Sequence, residues 1–68
     1  MKGKCVYWSK KTNVGFIQIS GFKRRLFIHH VDLINCKELV EGDEVEFKRI
    51  EETGMGFQAR NVMKLHQP

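Results

Sequence analysis

The first 31 residues of this 68-residue chain contain neither aspartate nor glutamate. Lys2, Lys4, Lys10, Lys11, Lys23, Arg24 and Arg25 stand there unopposed, a charge of +7. All eight acids fall between Asp32 and Glu52, where Lys37, Lys48 and Arg49 leave a balance of −5; Arg60 and Lys64 bring the chain to +4. A positive field of this kind favours a polyanion, although the same charges also suit a merely solvated face. No apolar run approaches the roughly 18 residues of a membrane span, and no apolar secretory core follows Met1. A cytoplasmic protein with no membrane partner is therefore expected. Cysteine is scarce, and Cys5 and Cys36 lack the CxxC spacing of a zinc or redox motif. They read as reduced thiols, Cys5 in a strand and Cys36 in a loop.

A helical period is missing too. Apolar residues recur at strand spacing, in short runs divided by turn residues, and nowhere hold a period of 3.6. Strands are predicted near Lys4 to Ser9, Val14 to Ile19, Arg25 to His29, Glu44 to Ile50 and Phe57 to Leu65. The turns Lys10-Lys11-Thr12-Asn13 and Ser20 to Arg24 make the first three a meander. Val31 to Gly42 breaks the pattern, with Asp32 as the cap of a short helical turn. Glu52 to Gly56 closes a last hairpin, its two glycines available for positive φ. One domain over residues 1–68, with a core of about residues 3–65, fits the length. Five short strands suit a small closed barrel, which leaves no exposed sheet edge; an SH3-like barrel competes on pattern alone.

The alternation inside "VGFIQ" and "LFIHH" carries the functional question. If Ile17, Leu26 and Ile28 fill the core, Phe16, Phe27 and His29 turn to the opposite face. Adjacent antiparallel strands then gather these rings into one patch. Tyr7-Trp8 offers two further rings, of which alternation sends only one outward unless the strand bends; Tyr7 outward and Trp8 partly buried is the expected arrangement. Exposed rings beside Lys and Arg suit unpaired nucleic acid, because every base has a face to stack and every step a phosphate. Duplex bases are already stacked. His29-His30 could be a metal pair or an acid–base dyad, but neither a metal nor catalysis is expected of the two rings alone.

The quoted stretches resemble the cold-shock domain, whose signatures run K-G-F-G-F-I and V-F-V-H-F in consecutive strands. Gly3 to Trp8 resembles its opening G-x-V-K-W-F, "LVEGDEVEF" its L-x-E-G-x-x-V-x-F, and "GFQARNV" its G-P-x-A-x-N-V. The resemblance implies an all-β, five-stranded antiparallel OB-fold barrel that binds single-stranded RNA and DNA on its first three strands, with no cofactor. Tyr7 stands where the family has its stacking Trp, Phe16 and Phe27 match stacking positions, and His29 matches the motif histidine. Val14 replaces a signature Phe, Thr12 and Asn13 replace its Lys and Gly, and His30 replaces a Phe. The loop from Leu33 to Leu39 is shorter than usual and lacks a Phe common there. Lys10-Lys11 and Phe22-Lys23-Arg24-Arg25 fill turns that are often acidic in bacterial members, and Phe57 replaces a Pro, either adding a ring at the rim or packing over an end. The expected binding residues are Tyr7, Trp8, Lys10, Lys11, Phe16, Arg25, Phe27, His29, His30 and Phe57. The expected function is that of a non-enzymatic RNA chaperone of low sequence selectivity. A protein-interaction or self-association module is the alternative; a monomer is expected, with a dimer left open.

Overall fold

The computed structural model describes residues 1–54 and 56–65. Five strands run in chain order: β1 Lys2–Ser9, β2 Val14–Gln18, β3 Leu26–His29, β4 Glu44–Thr53 and β5 Gly56–Lys64. They close into one barrel in the order β1-β2-β3-β5-β4. Four seams are antiparallel, and the fifth joins β3 to β5 in parallel through the pair Phe27 and Gln58. All the predicted strands are present, β4 running three residues beyond its expected end.

The interior is built from alternate residues of these strands. Cys5, Ile17, Leu26, Ile28, Leu39, Val45, Phe47, Ala59 and Val62 are all buried, and among the described residues no polar or charged side chain joins them. Ile17, Leu26 and Ile28 thus face inward as the alternation of β2 and β3 requires, so Phe16 and Phe27 face out. Leu39 anchors the long connection between β3 and β4, which is further tied by the reciprocal pair of Asn35 with the Lys64 backbone.

Each turn has its own chemistry. Asn13 adopts φ 59°, and its N–H donates to the Ser9 carbonyl at 2.8 Å. Asn tolerates this left-handed conformation better than most residues. Gly21, at φ 84°, is the third residue of a turn in which Phe22 N–H reaches the Ile19 carbonyl. In the last hairpin Thr53 pairs with Gly56, which has φ 123°; Met55 of the same turn lies outside the described residues, as do residues 66–68.

One local expectation needs correction. Asp32 does not cap the helical turn from its N-terminal side. The single 3-10 turn spans His30–Asp32, and its cap is His29, whose Nδ1 accepts the Val31 N–H at 3.3 Å. Asp32 ends the turn instead, because its carboxylate is held by partners on β5.

Candidate nucleic-acid interface

Positioning of the rings begins with an irregularity in β1. Cys5 pairs with Ile17 and Tyr7 with Phe16, so two steps along β1 match one along β2, and Val6 is the extra residue of a β-bulge. Without it, the buried Cys5 would put Tyr7 inside as well. With it, Tyr7 is 49% exposed and Trp8 turns inward against the core. Trp8 lies opposite Gly15, where an added Cβ would strike the Tyr7 carbonyl oxygen and stand 2.8 Å from Trp8 Cε3. Glycine at position 15 is what allows the indole to fold in. The indole Nε1 is buried without a hydrogen-bond partner.

The result is a continuous row of rings across three strands. Tyr7 and Phe16 have centroids 6.3 Å apart, Phe16 and Phe27 meet edge-on at 5.9 Å, and Phe27 and His29 lie at 6.5 Å. His29 and His30 follow at 4.6 Å, with ring planes 31° apart. Trp8 is not part of this row. The hydrogen bond that Val31 N–H donates to His29 Nδ1 at 3.3 Å fixes one end of it. His30 N–H donates to the Asn13 carbonyl at 3.1 Å, which ties the Lys10–Asn13 turn to the histidine end. Lys10 and Lys11 are both exposed on that turn.

At the other side, Phe57 meets Phe22 edge-on at 5.8 Å, and the Arg24 guanidinium lies 5.5 Å from the Phe57 ring centroid. Phe57 meets both expectations: it is half-buried against the core beside Phe22 and also lines a groove at the rim. A groove of about 560 Å³ runs between the ring row and Phe57, lined by Phe16, Phe27, Phe57, Arg24, Arg25 and Gln58 together with Thr53 and Gly56. Gln58 and Arg24 line this groove and Phe22 braces it; the basic turn Phe22-Lys23-Arg24-Arg25 stands out in the sequence, whereas nothing local singles out Gln58.

Charge is divided between faces. Among the described residues the ion pairs join Arg60 to Asp32 and Glu51, Arg49 to Glu51, and Lys64 to Asp43. None involves Lys10, Lys11, Lys23, Arg24 or Arg25. Lys2 and Lys4 lie directly across the β1–β4 seam from Glu46 and Glu44, so these two lysines of the basic segment meet acids in the fold. The Arg60 fork reaches Asp32 with both contacts at 3.0 Å and Glu51 at 2.9 and 3.1 Å. Hydrogen bonds to Glu51 and then Asp32 raise the guanidinium pKa above its ordinary value.

The row of exposed and half-buried rings thus lies beside cations that have no ion pair among the described residues. The model of the 'Cold-shock' DNA-binding domain matches residues 1–65. The chain belongs to this family. A search of curated proteins found no match. As a cold-shock domain, the protein binds nucleic acid, and its closed five-stranded barrel is the one the family resemblance implies. Among the described residues this cold-shock domain has no helix long and apolar enough to cross a membrane and no group of three metal-ligating side chains.

Proposed function

We infer that this domain binds single-stranded RNA and DNA with low sequence selectivity and acts as an RNA chaperone in the cytoplasm, without enzymatic activity. The observation that carries this reading is the ring row from Tyr7 through Phe16, Phe27 and His29 to His30, open to solvent along one side of the barrel. Each base stacked on such a ring contributes roughly 1–3 kcal/mol without regard to its identity. Lys10, Lys11 and Arg25 supply phosphate contacts. The chaperone action follows by mass action, because a ligand of unpaired strand shifts weak hairpins toward the open form. Trp8 is half-buried beside the row and reports on binding rather than stacking a base.

The test is a titration followed by Trp8 fluorescence, the chain having a single Trp. Oligo-dT and oligo-U of about six to ten bases bind at least about tenfold more tightly than a duplex of the same length, since only unstacked bases meet the rings. Equal affinity for duplex overturns the stacking model. A protein that ignores both and instead self-associates is the interaction module.

A further inference from the structure

The barrel is closed, yet β4 outruns its neighbour on one side. Its pairing with β5 continues from Val45 to Thr53. On the other edge β1 covers only Glu44, Val45 and Glu46, and Met1 adds a reciprocal backbone pair to Phe47. From Lys48 to Glu52 no strand lies along that second edge among the described residues. An uncovered edge is a template for one more strand.

The segment reads Lys48-Arg49-Ile50-Glu51-Glu52, two cations, one apolar residue and two acids. Turned end for end, it places acids where the cations were. Two copies laid antiparallel about Ile50 therefore set Lys48 opposite Glu52 and Arg49 opposite Glu51, twice each, around a two-fold axis. Moving the axis to any of the four flanking residues sets that residue against its own copy, like charge against like. Charged side chains commonly guard an edge against pairing; this order of charges attracts a second copy instead. The fold leaves the charges available. Lys48 and Glu52 are exposed, and neither has an ion pair among the described residues. Arg49 stands directly across β5 from another cation, Arg60, and reaches Glu51 only at 3.8 Å with 64% of its side chain exposed.

We propose that the free edge of β4 is a self-association surface, on which a second copy of this chain adds its own β4 antiparallel, with the two-fold axis at Ile50. The two β4–β5 hairpins then form one continuous sheet across the axis. The inference is independent of the strand-binding reading, since no ring of the row belongs to β4.

Sedimentation equilibrium of the unaltered chain over a range of concentrations tests it. A reversible dimer is expected at low salt, weakened about tenfold at roughly 1 M salt, where exposed charges are screened within about 3 Å. Lys48→Glu and Glu52→Lys touch no ion pair of the fold, and each sets like charges opposite one another at both copies of the contact. Each is expected to weaken the dimer about tenfold. An equimolar mixture of the two variants recovers the association, and so does the chain that carries both changes, because opposite charges then meet again at each contact. A monomer at every concentration in low salt overturns the proposal. So does a dimer indifferent to either reversal, or one that both reversals weaken and neither the mixture nor the double variant restores.

Discussion

The two sides of the barrel treat charge in opposite ways. On the side of β4 and β5 three cations have carboxylate partners: Arg60 lies between Asp32 and Glu51, Arg49 reaches Glu51 at 3.8 Å and Lys64 reaches Asp43 at 3.3 Å, whereas Lys48 has no ion pair among the described residues. On the side of β1 to β3 and its turns, Lys10, Lys11, Lys23, Arg24 and Arg25 have no such partners among the described residues, and five rings lie exposed or half-buried between the basic turns. Both faces rest on the same apolar interior, so the difference is not one of stability demanded by the core. Charge complementarity is largely satisfied internally on one face and not on the other.

That contrast breaks most sharply at the rings. Phe16→Ala combined with Phe27→Ala is expected to cost about 2–5 kcal/mol of strand binding, from two lost stacking platforms. Circular dichroism of the variant is expected to match the unaltered barrel, because both rings point away from the core. Collapse of the fold would mean that the ring face is structural.

Next in size is the basic turn. Replacing Lys23, Arg24 and Arg25 together by Ser is expected to weaken binding of every sequence and to reduce the slope of log affinity against log salt by about two, at roughly 0.7 per phosphate contact on a single strand. Fluorescence titrations at several salt concentrations measure it. An unchanged slope would place these charges with the solvated ones.

The opposite face answers a different question. Arg60→Met leaves Asp32 and Glu51 without their shared cation, and is expected to lower the thermal midpoint while changing strand affinity far less than the double ring variant. A variant whose midpoint is unmoved would show the ion pairs of that face to be ornamental, as exposed pairs often are.

The smallest effect concerns the thiols, which belong to neither face. Burial raises the pKa of Cys5 and of Cys36. A thiol whose folded pKa exceeds its unfolded value stabilises the fold fully below the unfolded value, and that contribution is lost as pH rises toward the folded one. Stability against urea is therefore expected to decline slightly from about pH 8 to about pH 9.5, around the roughly 8.5 of a free thiol. Alkylation followed by mass spectrometry is expected to label the half-buried Cys36 before Cys5, which is 1% exposed.

Much of this organisation was legible in the chain. The strands follow from period-two patterning, and the outward aim of Phe16 and Phe27 from the parity of Ile17, Leu26 and Ile28. What escaped depends on partners distant in sequence. Tyr7 outward and Trp8 partly buried is the arrangement both expected and found, but the bulge at Val6 that produces it exists only once β1 is registered against β2. Asp32 looks like a cap until Arg60, 28 residues on, takes its carboxylate. Lys2 and Lys4 count toward a basic half until β4 brings Glu46 and Glu44 across from them. Local propensity is written in short windows, and these features are not.

The parallel seam between β3 and β5 has one further consequence. It closes the barrel through the pair Phe27 and Gln58, residues far apart along the chain, and both line the groove. A seam held by a single registered pair is expected to open more readily than the long β4–β5 seam, a difference that amide exchange measures. A strand reaching from Phe27 to Phe57 would span that joint like a clasp on a bracelet. Cargo would then become a structural member: the loaded domain is expected to exchange its seam amides more slowly and to melt later than the empty one, and releasing the strand to loosen the barrel that held it.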